Sequence, residues 1–175
     1  MVIATLDPFD TRLIGQPATL ITSRFRRSTS SIAATHKTLS YADNIAAARE
    51  ADGAGADDAL LLNTDGRVAC TTIANIFVLK EKRLITPARS EAILPGIMRS
   101  VVLAEAKALG FTAEETAIAP QQLLDADAVF LTNSLRLVRP VTHIDGNAMS
   151  SGAANPVLDH LCGLAAHICQ RTILS

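Results

Sequence analysis

The stretch Asp57–Thr72, DDALLLNTDGRVACTT, decides the fold. Two apolar runs flank Asp65-Gly66, a pair suited to the left-handed backbone of a tight hairpin. Thr64 and Arg67 leave the length of that loop open. Asn75–Pro87, NIFVLKEKRLITP, repeats the pattern around a charged turn. Further on, DAVFLTNS (127–134) and LRLVRPVTHID (135–145) read as two more strands, with Asp145-Gly146 as the following turn. Upstream, MVIATLDPF (1–9) reads as a short strand ended by Asp-Pro, and PATLITSRF (17–25) as another.

Helical signals surround these strands. RRSTSSIAATHK (26–37) is polar and reads as loop. Ser40 with Asp43 three residues later has the form of a capping box. After it, Tyr41, Ile45 and Ala48 mark one face, and Gly53 and Gly55 end the helix. Leu94-Pro95-Gly96 opens a second helix with apolar positions Ile97, Val101, Ala104 and Ala108, closing at Gly110. Asn155-Pro156 starts a last one. Hairpins flanked by three or four helices predict an α+β domain with a mixed or antiparallel sheet core. No βαβ alternation argues for a doubly wound sheet.

The bulk numbers limit the function. A chain of 175 residues fits one domain with a real core. Its net charge of −1 and 3% aromatic content, with no tryptophan, give no case for nucleic acid. No apolar run is long enough to span a membrane, and Asp7, Pro8 and Asp10 interrupt the start where a signal peptide needs an apolar core. Cys70, Cys162 and Cys169 are odd in number and lack a metal-ligand spacing, so a reducing cytoplasm is predicted and no metal.

Taken singly, the chemical candidates are weak. Lys37 has the character of a solvated lysine, Arg24, Arg26 and Arg27 that of a polar edge, and Gly96 that of punctuation before a helix. A helix N-terminus does, however, offer backbone N–H groups to a phosphate.

Order and spacing make the signal. HKTLSY (36–41), GRVACTTIANIF (66–77), LITP (84–87), ILPGIMR (93–99), DAVFLTNS and the Pro140-Val141 pair occur in one succession. The run from about residue 17 to 146 resembles the class IV aminotransferases, the fold-type IV enzymes that use pyridoxal 5′-phosphate (PLP). That family includes branched-chain and D-amino-acid aminotransferases and aminodeoxychorismate lyase. The resemblance implies the large PLP-binding domain of the D-amino-acid aminotransferase-like fold across residues 1–175. It leaves the family's N-terminal domain, roughly a hundred residues, without a counterpart here.

The same resemblance implies the site. Lys37 falls at the Schiff-base lysine. Gly96 with the backbone N–H groups of Ile97 and Met98 falls at the phosphate site, and Ser134 near a second phosphate contact. Arg136 is a candidate for the substrate carboxylate, and Tyr41 for a residue bordering the cofactor ring, with core packing as its equal alternative. Cys70 falls where the family carries the glutamate that pairs with the pyridine nitrogen. A thiol is a weaker donor and acceptor. The implied activity is transfer of an amino group between an amino acid and a 2-oxo acid, in a homodimer. The sequence leaves two alternatives open: an aminodeoxychorismate lyase releasing pyruvate, which the NSLR segment (133–136) favours mildly, and an inactive remnant with a binding or structural role.

Overall fold

The computed structural model describes residues 10–150 and the helical positions 160 and 163. The strand expected over 1–9 lies outside the described residues, as does the expected last helix, Cys162 and Cys169 included, apart from positions 160 and 163.

Strand β1 (Ala18–Arg27) leads through a four-residue helix, α1 (Ile32–Thr35), to helix α2 (Ala42–Gly53), and α2 leads into β2 (Asp58–Asn63). The loop expected over 26–37 therefore contains one helical turn. β2 is buried along its whole length, which is why its sequence is a continuous apolar run and not an alternation. It turns back into β3 (Val68–Thr71) through a four-residue loop. There Gly66 has φ +77°, and the Asn63 carboxamide oxygen accepts from the N–H groups of Asp65 and Arg67, both at 3.0 Å. β4 (Asn75–Lys80) and β5 (Arg83–Pro87) form the second expected hairpin, and helix α3 (Ile97–Glu105) follows it. Next come β6 (Thr112–Thr116), helix α4 (Pro120–Leu124), β7 (Ala128–Asn133), β8 (Leu137–Ile144) and β9 (Asn147–Ala148).

The strands form one mixed sheet in the order β3-β2-β1-β8-β7-β4-β5-β6, with β9 on β8. The α+β class and the mixed sheet agree with the sequence. Two features depart from it. β1 and β2 are parallel neighbours joined through α1 and α2, and β5 and β6 are parallel neighbours joined through α3. The fold thus contains two βαβ crossovers where the sequence reading expected none. β6 is exposed and polar, Thr-Ala-Glu-Glu-Thr, and gives no apolar signal, whereas β1, α2 and β2 each read from the sequence and only their parallel pairing did not.

Three apolar clusters fill the domain. The largest gathers residues of β1, β2, β4 and β8 with Ile118, Leu123 and Met149. A second lies under α3, where Phe77 and Phe130, directly opposed on β4 and β7, stack with ring centroids 5.0 Å apart. The third lies under α2 and includes Leu61, Ala69, Cys70 and Ile93.

Both long helices bury a different face from the one expected. In α2 the buried residues are Asn44, Ala47 and Ala51, while Ile45 is half exposed. Small side chains let this helix approach β1 and β2 closely, which outweighs the larger apolar area of Ile45. In α3 the buried stripe is Met98, Val102 and Ala106, one step from the expected Ile97, Val101, Ala104 and Ala108. The expected capping box also fails: α2 starts after Tyr41 with no side-chain cap.

Candidate active site

Lys37 stands in the irregular segment between α1 and α2 and is exposed. Among the described residues its ammonium makes no hydrogen bond or ion pair. The backbone on its N-terminal side is held by Arg27, at the end of β1. Arg27 Nη2 donates to the Ala34 carbonyl at 2.6 Å, Nε donates to the Ala92 carbonyl at 2.7 Å, and Nη1 donates to Asn44 Oδ1 at 3.3 Å. One guanidinium therefore brackets the segment before Lys37 and the segment before Leu94-Pro95-Gly96. The polar edge read from the sequence is, at Arg27, an inward structural tie.

At α3, Gly96 is the N-cap and supplies no side chain to the first turn. A Cβ at Gly96 would collide with the Asn75 carboxamide oxygen. The same carboxamide donates from Nδ2 to the Leu94 carbonyl at 2.8 Å, tying the Leu94-Pro95-Gly96 turn to the start of β4. Glycine is thus required here by close approach. The Met98 side chain is buried in the core, so only its backbone faces the helix end, and the Ile97 side chain is 75% exposed.

The β3–β4 connection, Thr72 to Ala74, is where the other pieces meet. Thr72's carbonyl oxygen accepts from the Tyr41 hydroxyl at 3.0 Å, and Asn133 Nδ2 donates to the Ile73 carbonyl at 3.4 Å. Asn133 Oδ1 in turn accepts from the N–H groups of Leu135 and Arg136, which shapes the β7–β8 turn carrying Ser134 and Arg136. Ser134 is exposed and Arg136 half-buried, and neither side chain is bonded to another described residue.

Cys70 sits on β3 opposite Leu61, beside a bulge: the ladder runs Leu61↔Cys70 and then Leu62↔Val68, so Ala69 is the extra residue. Both Ala69 and Cys70 consequently enter the α2 cluster. Burial pushes the Cys70 thiol up to about 11, with Arg27 opposing the rise and Asp58 adding to it. The thiol is therefore neutral at ordinary pH. The Tyr41 phenol is also held above its usual value, chiefly by burial and then by Cys70. Tyr41, Cys70, Arg27 and Asp58 thus lie within electrostatic reach of one another.

The site draws together residues that the sequence did not single out: Asn44, Asp58, Thr72, Asn75 and Asn133. Each acts through polar bonds across more than ten residues of chain, and no local pattern marks such a bond. Among the described residues no group of His, Cys, Asp and Glu could hold a metal ion, and no helix is long and apolar enough to cross a membrane.

The family model for amino-transferase class IV matches residues 1–144. The chain belongs to the class IV aminotransferase family. It is 39% identical over 122 residues to a probable branched-chain-amino-acid aminotransferase of Aquifex aeolicus, covering 69% of this chain and 39% of that protein. It is 35% identical over 109 residues to the aminodeoxychorismate lyase of Vibrio harveyi, covering 62% of this chain and 40% of that protein. The branched-chain aminotransferase of the thermophilic archaeon Thermoproteus uzoniensis, solved with norvaline, superposes with a TM-score of 0.85 at 29% identity, covering 93% of this chain and 54% of that one. The chain spans about two fifths of the length of the two relatives and about half of the solved chain.

Proposed function

We propose that this class IV aminotransferase family chain binds PLP at Lys37 and transfers an amino group between an amino acid and a 2-oxo acid. One observation carries the reading: a single guanidinium, Arg27, ties Ala34, three residues before the exposed Lys37, and Ala92, four residues before the Gly96 that opens α3 without a side-chain cap. The donor set suits the cofactor. Among the described residues, the Lys37 amine has no partner and is open to an aldehyde, and the first turn of a nine-residue helix has no side-chain cap and is open to a phosphate.

When bound, PLP supplies an electron sink that stabilises negative charge at the substrate Cα. The chain's own residues then have separate tasks. Lys37 would take the proton from the substrate Cα and deliver it to the cofactor carbon that bears the amino nitrogen. Ile97 and Met98 would donate from their backbones to the phosphate, and Ser134 from its hydroxyl or backbone. Arg136 offers a planar pair of donors to a substrate carboxylate. Cys70 brings a neutral thiol, with no negative charge, to the place assigned to the pyridine nitrogen. Exposed Ile73, Ile97 and Leu135 around this edge support self-association as a homodimer, and the reduced Cys70 supports a cytoplasmic setting.

The test is direct. Protein incubated with PLP and reduced with borohydride should carry a covalent adduct at Lys37, located by mass spectrometry. Absence of the adduct at saturating PLP overturns the reading. Pyruvate release with no 2-oxo acid acceptor present would assign the lyase reaction in place of transfer.

A further inference from the structure

Lys37 hangs between two anchors. On one side the Ala34 carbonyl is held by Arg27. From residue 35 to 40 the hydrogen bonds among the described residues are all local: Thr35 and His36 bond within the helical turn, and the Ser40 N–H donates to Thr38 Oγ1. Leu39 is fully exposed. The next tie to the sheet is the Tyr41 hydroxyl on Thr72, and the one after it is Asn44 Nδ2, which donates to the same Thr72 carbonyl at 2.6 Å.

The residue that bears this carbonyl is itself held by a buried acid. Asp58 Oδ1 accepts from the Thr72 N–H at 3.2 Å, from the Thr72 hydroxyl at 2.5 Å, and from the Ala59 N–H at 2.8 Å. Asp58, Thr72 and Asn44 are all buried, at 5%, 4% and 9% exposure. A carboxylate is kept out of water only where its oxygens are well supplied with donors. Here two of the three donors, the N–H and the hydroxyl, belong to Thr72, so the carboxylate fixes that residue in place.

We propose that Asp58 and Asn44 are positioning residues for Lys37. They act through Thr72, which forms the downstream anchor of the segment that carries the amine. Asp58 holds Thr72 by its N–H and hydroxyl; Asn44 and Tyr41 attach the chain to the carbonyl of that residue seven and four residues beyond the lysine. The assignment rests on the reading of Lys37 as the cofactor lysine. It adds a reason for a buried acid at the start of β2, a position remote in sequence from every residue expected to touch a ligand.

Two measurements on the full chain separate this proposal from that reading. Without cofactor, limited trypsin digestion gives the rate of cleavage after Lys37 relative to cleavage after Lys82, in the β4–β5 turn. In Asp58→Asn, Asn44→Ala and Tyr41→Phe the ratio should rise about tenfold. With PLP and borohydride, the same variants should form the Lys37 adduct several-fold more slowly while the Lys82 cleavage rate holds. A ratio unchanged in all three variants overturns the anchor. So does a rise at Lys37 and Lys82 together, since that reports general loosening. Absence of an adduct in the wild-type protein overturns the cofactor reading alone, because the cleavage ratio does not depend on PLP.

Discussion

Arg27 and Ala34 are joined by a 2.6 Å hydrogen bond from the guanidinium Nη2 to the carbonyl oxygen. The bond spans only seven residues, yet it decides where the lysine segment leaves the sheet. The same group reaches Ala92, 65 residues away in the chain, at 2.7 Å. A planar fork with several donors can serve both carbonyls at once; an ammonium on a flexible stem cannot do so in the same geometry.

Arg27→Lys should therefore cost about 2 kcal/mol of stability, the order expected when a hydrogen bond to a charged group is lost and a carbonyl is left unpaired. Urea unfolding measures this. Capture of PLP by Lys37 should fall at least tenfold in the same variant, and a variant of unchanged midpoint and capture rate would remove Arg27 from the account.

Lys37→Ala should leave the fold intact. The side chain is exposed and makes no polar contact with the described residues, so the change in unfolding free energy should stay within about 0.5 kcal/mol. The borohydride-trapped adduct should disappear completely. A large loss of stability would give Lys37 a structural role that the geometry does not contain.

Gly96→Ala tests the helix end. The new methyl would meet the Asn75 carboxamide, forcing a shift that costs about 1–3 kcal/mol. Replacing Asn75 by alanine as well should recover part of that loss, because the collision is with its side chain. The two changes should be non-additive by more than about 0.5 kcal/mol in a double-mutant cycle. Additive losses would show that the close approach is not what requires glycine.

Cys70 gives a pH signature. Its folded-state value of about 11 lies above the ordinary 9.0 of a free thiol, because burial disfavours the thiolate. Between those values the unfolded chain loses a proton that the folded chain keeps, so stability is full below pH 9 and falls as pH rises toward 11. A rise of this size corresponds to roughly 2–3 kcal/mol. Cys70→Ala should flatten the stability curve across that window, measured by urea unfolding at pH 8 and pH 11. In the same position, Cys70→Glu should raise transamination if a carboxylate at that place keeps the ring nitrogen protonated; an unchanged or lower rate would refute that role.

Much of the sheet was legible in the sequence, and the reason is visible in particular strands. Leu60–Leu62, Phe77–Leu79 and Val129–Leu131 are buried, and their apolar runs declare them. The Asp65-Gly66 pair declared a turn but not its length, which is four residues. β6 did not declare itself, because its residues stay largely in water, and its pairing with β5 rests on backbone bonds and the Arg83–Glu114 ion pair, neither of which leaves an apolar pattern. Helix faces were misplaced where a small or polar residue is inside and a large apolar one outside: Asn44 is buried, and Ile97 faces solvent. The ordered motifs pointed to the site's members through family resemblance. The ties that hold those members, from Arg27, Asn75 and Asp58, are long-range polar bonds, and periodicity does not encode them.

The strand order also carries a message about assembly in time. β1 to β3, residues 18–71, make one wing of the sheet, and β4 to β7, residues 75–133, make the other. Between them lies β8, which pairs with β1 on one side and β7 on the other. Each wing can gather from its own neighbours in sequence, but the seam waits for a strand made after both. Joining β1 to β8 closes the longest loops in the sheet, the kind of contact that slows folding more than it costs stability. During synthesis, then, the lysine segment and the opening of α3 both emerge before the strand that locks their two wings into one piece.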